Sequence, residues 1–450
     1  MDSDRIHLFG PGRDGHLTIR GGSSGISVQL EELTAGAEKL DALAGDLVAV
    51  EQETGRVLDH LCWVDRQPAW SGSAHMAAVR NSQWRVQAAR AELQRISSQI
   101  RACLRDYQDA EWRANVGRFL GITSVEEFSA SWVTMAATGV PDRRTTESII
   151  TMLGLAAPDV RARIDREPFV RDALMLLVAT YVPRPIALRP EESFQAELDS
   201  SPAGLLERIR QVDARGPGNI EVLEVENGGE ATYVVVLPGT QASGRYAGGH
   251  NPFDEAGIVE GMLYGSEELN QAVLDALALA GAERGAGVVA VGYSQGGIHA
   301  MNLASDPRVL EQYDVKYVLT AGSPVAGTRP GEDVSALHLE HEADWVPGGD
   351  GVANPETRNR VTVSMSTPVP SREDKGLGPG HSFEGYQEAA RLVAGSSDPS
   401  LVHSTAVLAG VLGAGGTATA TRYSLSRTKG PLSTLTPQDP RAHERGHGGR

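Results

Sequence analysis

A chain of 450 residues is long enough for two or three folded domains, and 40% hydrophobic residues can supply a sizeable core. Lys plus Arg total 41 against 58 for Asp plus Glu; the net charge of -17 repels phosphate backbones and argues against nucleic acid as a partner. Abundant glycine (51) and proline (24), with 5% aromatics, predict many loops.

The two cysteines, Cys62 and Cys103, are too few for a disulfide framework, and a thiolate zinc site would need neighbours that are absent. The count fits a reducing compartment, and equally export from a cell that uses few disulfides. The opening stretch MDSDRIHLFGPGRDG lacks a basic segment followed by an apolar one, so no ordinary secretory signal is expected. The most apolar late stretch, Leu401 to Ala420, is rich in Gly, Ala and Thr and is a poor membrane span, so no transmembrane segment is expected.

Residues 1–28 form an N-terminal segment. From 29 to 113 the pattern is helical. Leu33, Leu40, Leu47 and Leu61 recur at multiples of seven, and Leu43, Val50, Val57 and Val64 run three positions behind. After a break at Gln67 to Gly72, Val79, Val86, Leu93, Ile100 and Tyr107 repeat every seven, with Ala89, Ile96, Cys103 and Ala110 behind them. Two heptad seams joined by a short turn predict an antiparallel helical hairpin. Cys103 falls on the seam and Cys62 off it, so a bond between them is not expected.

Residues 114–217 mix short amphipathic stretches with proline clusters and are read as a helical connector or cap. From 218 to 395 the period changes. Strand-like runs at Ile220–Val225, Thr232–Leu237, Val288–Val291, Val315–Leu319, Val334–Leu339 and Val361–Met365 alternate with helical patterns at Glu267–Ala280 and Gly296–Ala304. That alternation predicts an α/β domain with a mainly parallel sheet flanked by helices. Residues 396–450 are expected to be loose and partly disordered; in the last 50 residues six basic side chains face two acidic ones.

The strongest chemical signal is Gly292-Tyr293-Ser294-Gln295-Gly296, directly after a buried strand and before a helix. Glycines flanking the Ser permit a sharp turn that lifts its hydroxyl above the sheet edge, as a nucleophile requires. Upstream, an apolar strand ends in Pro238-Gly239-Thr240. An acyl-transfer site needs two N–H donors for a developing oxyanion. Gln295 supplies one, and Thr240 or Gln241 the other. The base expected downstream is His381, on a Gly-rich loop before the amphipathic run Phe383, Tyr386, Ala390 and Val393. Asp344, just past the end of a strand, is expected to orient it, with Glu342 and Asp350 as rivals. His338 and His341 tempt a metal reading, but spacing by three along a strand sends them to opposite faces, so no metal is assigned.

On these residues the stretch 231–395 resembles the α/β-hydrolase family, particularly its bacterial esterase and lipase branch. The resemblance rests on Pro238-Gly239-Thr240, the Ser294 elbow, Asp344-Trp345-Val346-Pro347 and Gly380-His381. It implies hydrolysis of acyl esters, thioesters or amides through an acyl-enzyme, with no cofactor. The hairpin resembles the WXG-type hairpins exported by type VII secretion. Trp70-Ser71-Gly72 stands at the turn, and Tyr107 with Glu111 match that family's export signal. This resemblance implies a secreted or cell-envelope location, the cytoplasm being the alternative, and a helical partner protein for the hairpin. The expectation is therefore a serine esterase. A hairpin-centred interaction protein on an idle hydrolase scaffold, or an acyltransferase on the same triad, stand as alternatives.

Overall fold

A computed structural model describes residues 12–23, 25–64, 73–119, 143, 146–147, 183–241, 249–369 and 377–428. Among them, ten strands make one sheet in the order β1-β2-β9-β8-β7-β6-β5-β4-β10-β3. The strands are β1 (Gly12–Asp14), β2 (Leu17–Gly21), β3 (Ile186–Leu198), β4 (Asn219–Asn227), β5 (Glu230–Leu237), β6 (Gly287–Tyr293), β7 (Asp314–Ala321), β8 (Ser335–His341), β9 (Arg360–Met365) and β10 (Gly416–Arg427). The central five, β5 to β9, are parallel and lie side by side in chain order; every other pairing is antiparallel. Parallel neighbours need crossovers, so helices cover both faces.

Alternation along each strand feeds two cores. In β5, Val234 and Val236 enter one core with Leu205 and Leu206 of α3 (Pro202–Asp213), Tyr386 and Val393 of α8 (Phe383–Ala394), and Leu401 and Leu408 of α9 (Pro399–Leu412). Tyr233, Val235 and Leu237 enter the other with Leu269 and Val273 of α5 (Glu267–Leu279) and Met301 of α6 (Gln295–Leu303). Two further helices, α4 (Glu255–Tyr264) and α7 (Pro307–Leu310), complete the α-helices of this domain among the described residues.

The sheet reaches further along the chain than the sequence suggests. Residues 399–427, expected to be loose, form α9 and β10, and β10 lies inside the sheet between β3 and β4. Its small residues still alternate: Ala418, Ala420, Tyr423 and Leu425 are buried. Part of the expected connector is β3 and α3. Upstream of the hairpin, β2 pairs with β9, so the sheet begins before residue 26.

The hairpin consists of α1 (Ile26–Val64) and α2 (Ser73–Phe119), packed antiparallel. Arg90 and Gln87 reach Glu51 at one level, and Ser97 reaches the Ala37 carbonyl at another. Ala37, Ile100 and Leu104 centre its core, with Leu30, Leu33, Leu40 and Ile96 against them. The other predicted α1 seam does not pack inward: Leu43, Val50 and Val57 are 53%, 45% and 41% exposed. A second row of heptad positions therefore faces outward. Neither Cys62 nor Cys103 is in a disulfide among the described residues, and both are half-buried. No described helix is long and apolar enough to cross a membrane.

Candidate active site

At the end of β6 the chain turns into α6 through Ser294, held at φ 53°, ψ -121°. This left-handed φ costs a non-glycine residue about 1–3 kcal/mol and persists only where its surroundings impose it. They do so here through close backbone approach. A Cβ on Gly292 would sit 2.2 Å from the Gly296 carbonyl, and one on Gly296 would sit 2.4 Å from the Leu237 and Pro238 carbonyl oxygens. The Ser294 N–H is anchored on the Ala321 carbonyl of β7 at 2.8 Å. Each glycine of the elbow is thus required sterically.

Two further side chains converge on Ser294. His381 Nε2 lies 2.9 Å from Ser294 Oγ, and His381 Nδ1 lies 2.7 Å from Asp344 Oδ2. Because a carboxylate only accepts, Nδ1 carries the proton and Nε2 is free to accept from the Ser hydroxyl. Asp344 is fully buried and Ser294 is 4% exposed. The Val346 N–H donates to Asp344 Oδ1 at 2.9 Å, and the Tyr386 hydroxyl donates to Oδ2 at 2.6 Å. Tyr293 stacks on the His381 ring, centroids 5.1 Å apart, while its hydroxyl donates to the His381 carbonyl at 2.8 Å. Burial pushes the Tyr386 phenol well above its usual range, reinforced by the Asp344 charge, so it remains a donor.

Around the hydroxyl, Gln295 heads α6, where first-turn N–H groups have no intrahelical acceptor. Gly239, next to Thr240, packs against Tyr293: a Cβ there would meet its Cδ1 at 2.8 Å. The N–H of Gln241, the other candidate at this turn, is taken by the Phe253 carbonyl at 2.8 Å, which leaves Thr240. The Thr240 hydroxyl is buried with no partner among the described residues.

The rivals have other work. Glu342 is exposed. Asp350 accepts from the Ala326 and Gly327 N–H groups, and burial raises its carboxyl to about 7. His299 is fully enclosed against Ser266 Oγ and Gln295, and desolvation lowers it to about 3. His338 bonds Thr320 and receives Arg360 Nε, whereas His341 turns to Thr367. Trp70 and Gly72 lie outside the described residues. Tyr107 and Glu111 fall within α2, but their side chains lie outside the description.

Sequence reasoning missed the roles of Tyr293 and Tyr386. Tyr386 was visible only as an apolar position on an amphipathic helix. Its place five residues after His381 was the available clue, and it needed the fold to become meaningful.

The fold and site together define a mixed α/β domain with a Ser–His–Asp hydrogen-bonded chain at the carboxyl edge of a parallel sheet, joined to a helical hairpin. Comparison with protein-family models, curated proteins and solved structures found no match to this chain.

Proposed function

We propose that this protein is a serine hydrolase that cleaves carboxylic esters through an acyl-enzyme. The observation that carries the reading is the unbroken chain Ser294 Oγ, His381 Nε2, His381 Nδ1, Asp344 Oδ2 at 2.9 and 2.7 Å, with Ser294 on a strained strand-to-helix turn. His381 takes the Ser294 proton as the hydroxyl oxygen attacks the acyl carbon. It then returns that proton to the departing alcohol. Asp344 holds the imidazole in the tautomer this requires. The N–H groups of Gln295 and Thr240 stabilise the oxyanion of the tetrahedral intermediate. A water activated by His381 then releases the acid. No step calls for a cofactor.

The deciding experiment is labelling with a fluorescent fluorophosphonate of the wild-type chain, Ser294→Ala and His381→Ala. Labelling of wild type with none of Ser294→Ala, and a rate lowered by about a thousandfold or more in His381→Ala, is expected. A folded wild type that neither labels nor turns over short-chain esters sinks the reading.

For the hairpin we propose export by a type VII system together with a helical partner. The outward row of Leu43, Val50 and Val57, with Trp63 and Trp84 at 70% and 67% exposed, supports a partnered hairpin, because such apolar rows on a surface mark contact sites. The same row favours the second reading, an interaction protein on an idle scaffold. That reading moves to first place if fluorophosphonate fails while a small helical protein co-purifies. Recovery solely from cytosol in a host with intact type VII machinery would sink the export proposal.

A further inference from the structure

We infer that Tyr386 is a positioning residue for the Ser294–His381–Asp344 chain: its hydroxyl fixes Asp344 Oδ2 so that this oxygen meets His381 Nδ1 in one geometry and holds part of the carboxylate charge away from it. The inference rests on the hydrolase reading for its catalytic meaning, and on contacts that exist whatever the activity.

Asp344 has no exposed surface, so its charge is balanced by donors rather than water. Val346 N–H satisfies Oδ1, while Oδ2 carries both His381 Nδ1 and the Tyr386 hydroxyl. A donor shared on one oxygen draws negative charge towards itself. It therefore weakens the hold of that oxygen on an imidazolium. Tyr386 is well placed to do this because its ring is locked. It is 1% exposed in the core among Ala389, Ala390 and Val393 of its own helix, and a Cβ on Gly322 would meet its ring at 2.8 Å. The ring also stands edge-on to His381 with centroids 6.3 Å apart. A hydroxyl fixed in this way leaves the carboxylate little freedom to swing away from the histidine.

The charged and titratable groups around this cluster can be named by element. Asp344 and Glu340 come from β8 and its exit, Tyr293 and Ser294 from β6 and the elbow, Tyr386 and Glu384 from α8, and Asp213 from the end of α3; His341 lies within the field of Asp344. Among the described residues, the Tyr386 hydroxyl is the only one of these side-chain groups besides His381 that donates to Asp344.

The test is titration of His381 by NMR of isotope-labelled imidazole in the full chain, for wild type, Tyr386→Phe and Val393→Ala. The last removes a buried group from the same helix, seven residues beyond Tyr386. Tyr386→Phe is expected to raise the His381 pKa by about half a unit to one unit. It is also expected to shift the acid limb of kcat/KM upward by the same amount, so that activity on the acid side falls about three- to tenfold. Val393→Ala is expected to lower Tm with both readouts unmoved. A His381 titration identical in wild type and Tyr386→Phe, with only Tm lowered, overturns the inference and leaves Tyr386 a packing residue. Should Tyr386→Phe fail to fold, 3-fluorotyrosine at position 386 alone gives a more acidic donor. It is expected to lower the His381 pKa, and no change overturns the inference. Because the titration needs no turnover, an inactive wild type would count against the hydrolase reading without deciding Tyr386.

Discussion

At Ser294 a single residue carries strain that its neighbours hold in place, and the glycines beside it are part of that arrangement rather than of the chemistry. Gly292→Ala is expected to destabilise the domain by at least about 1–3 kcal/mol, since its Cβ would collide with backbone rather than with a movable side chain. Thermal unfolding of the variant checks this, and an unchanged Tm would mean that the elbow relaxes freely. Two buried titratable residues give a pH prediction. Asp350 rises from 3.8 to about 7 in the folded chain, chiefly through burial. A folded pKa above the unfolded one means stability that is complete below about pH 3.8 and is lost as pH rises towards 7. His299 moves the other way, from 6.5 to about 3, so its contribution is complete above about pH 6.5 and is lost as pH falls towards 3. Asp350→Asn keeps an acceptor for Ala326 N–H while removing the ionisation. Its Tm relative to wild type is therefore expected to climb from pH 4 to pH 7; a constant difference would refute the assignment.

Among the elements, those with strong periodicity were legible from sequence. Val288–Val291 is a continuous apolar run buried on both faces, as in a parallel strand, whereas Val361–Met365 alternates apolar residues with Thr362 and Ser364; the structure extends the two to β6 and β9. Ser294 and Asp344 were legible from their place past a strand end and His381 from its Gly-rich loop before an amphipathic run, and the structure brings the three within hydrogen-bond distance. The misses share one physical cause: tertiary pairing supplies what local composition lacks. Threonines and alanines of β10 carry little hydrophobic signal, and β3 runs through Pro190, Glu191 and Glu192, which suit an edge strand. Polar groups help to hold these elements alongside their few buried apolar residues. Glu221 of β4, fully buried, accepts from Arg208 of α3 at 2.8 Å and from Arg422 of β10 at 3.0 Å, and Arg422 also lies over the Phe194 ring of β3. Glu221→Ala would leave two buried guanidinium groups without that carboxylate and is expected to cost about 3–5 kcal/mol. A loss below about 1 kcal/mol in denaturant unfolding would show that this cluster does not bind the elements together.

On the scale of the whole molecule, the hairpin is a long excursion out of a sheet that has already begun. The β2 residues Leu17 and Ile19 are buried in the main core, and β2 covers the outer edge of β9. A chain starting at residue 183 is therefore expected to expose β9 and to aggregate or melt earlier than one that also retains residues 12–23 through a linker. Equal stability of the two by thermal unfolding would mean that β1 and β2 are dispensable. The position of β10 also bears on how the protein is made. Residues 416–427 fill the gap between β3 and β4, two strands laid down more than 180 residues earlier. Until the ribosome has delivered them, β4 has no neighbour on that side and β3 has none among the described strands. At about 5–20 residues per second that interval lasts roughly 10–45 s. During it the nascent sheet offers open hydrogen-bonding edges, which the last described strand closes as a clasp when it arrives.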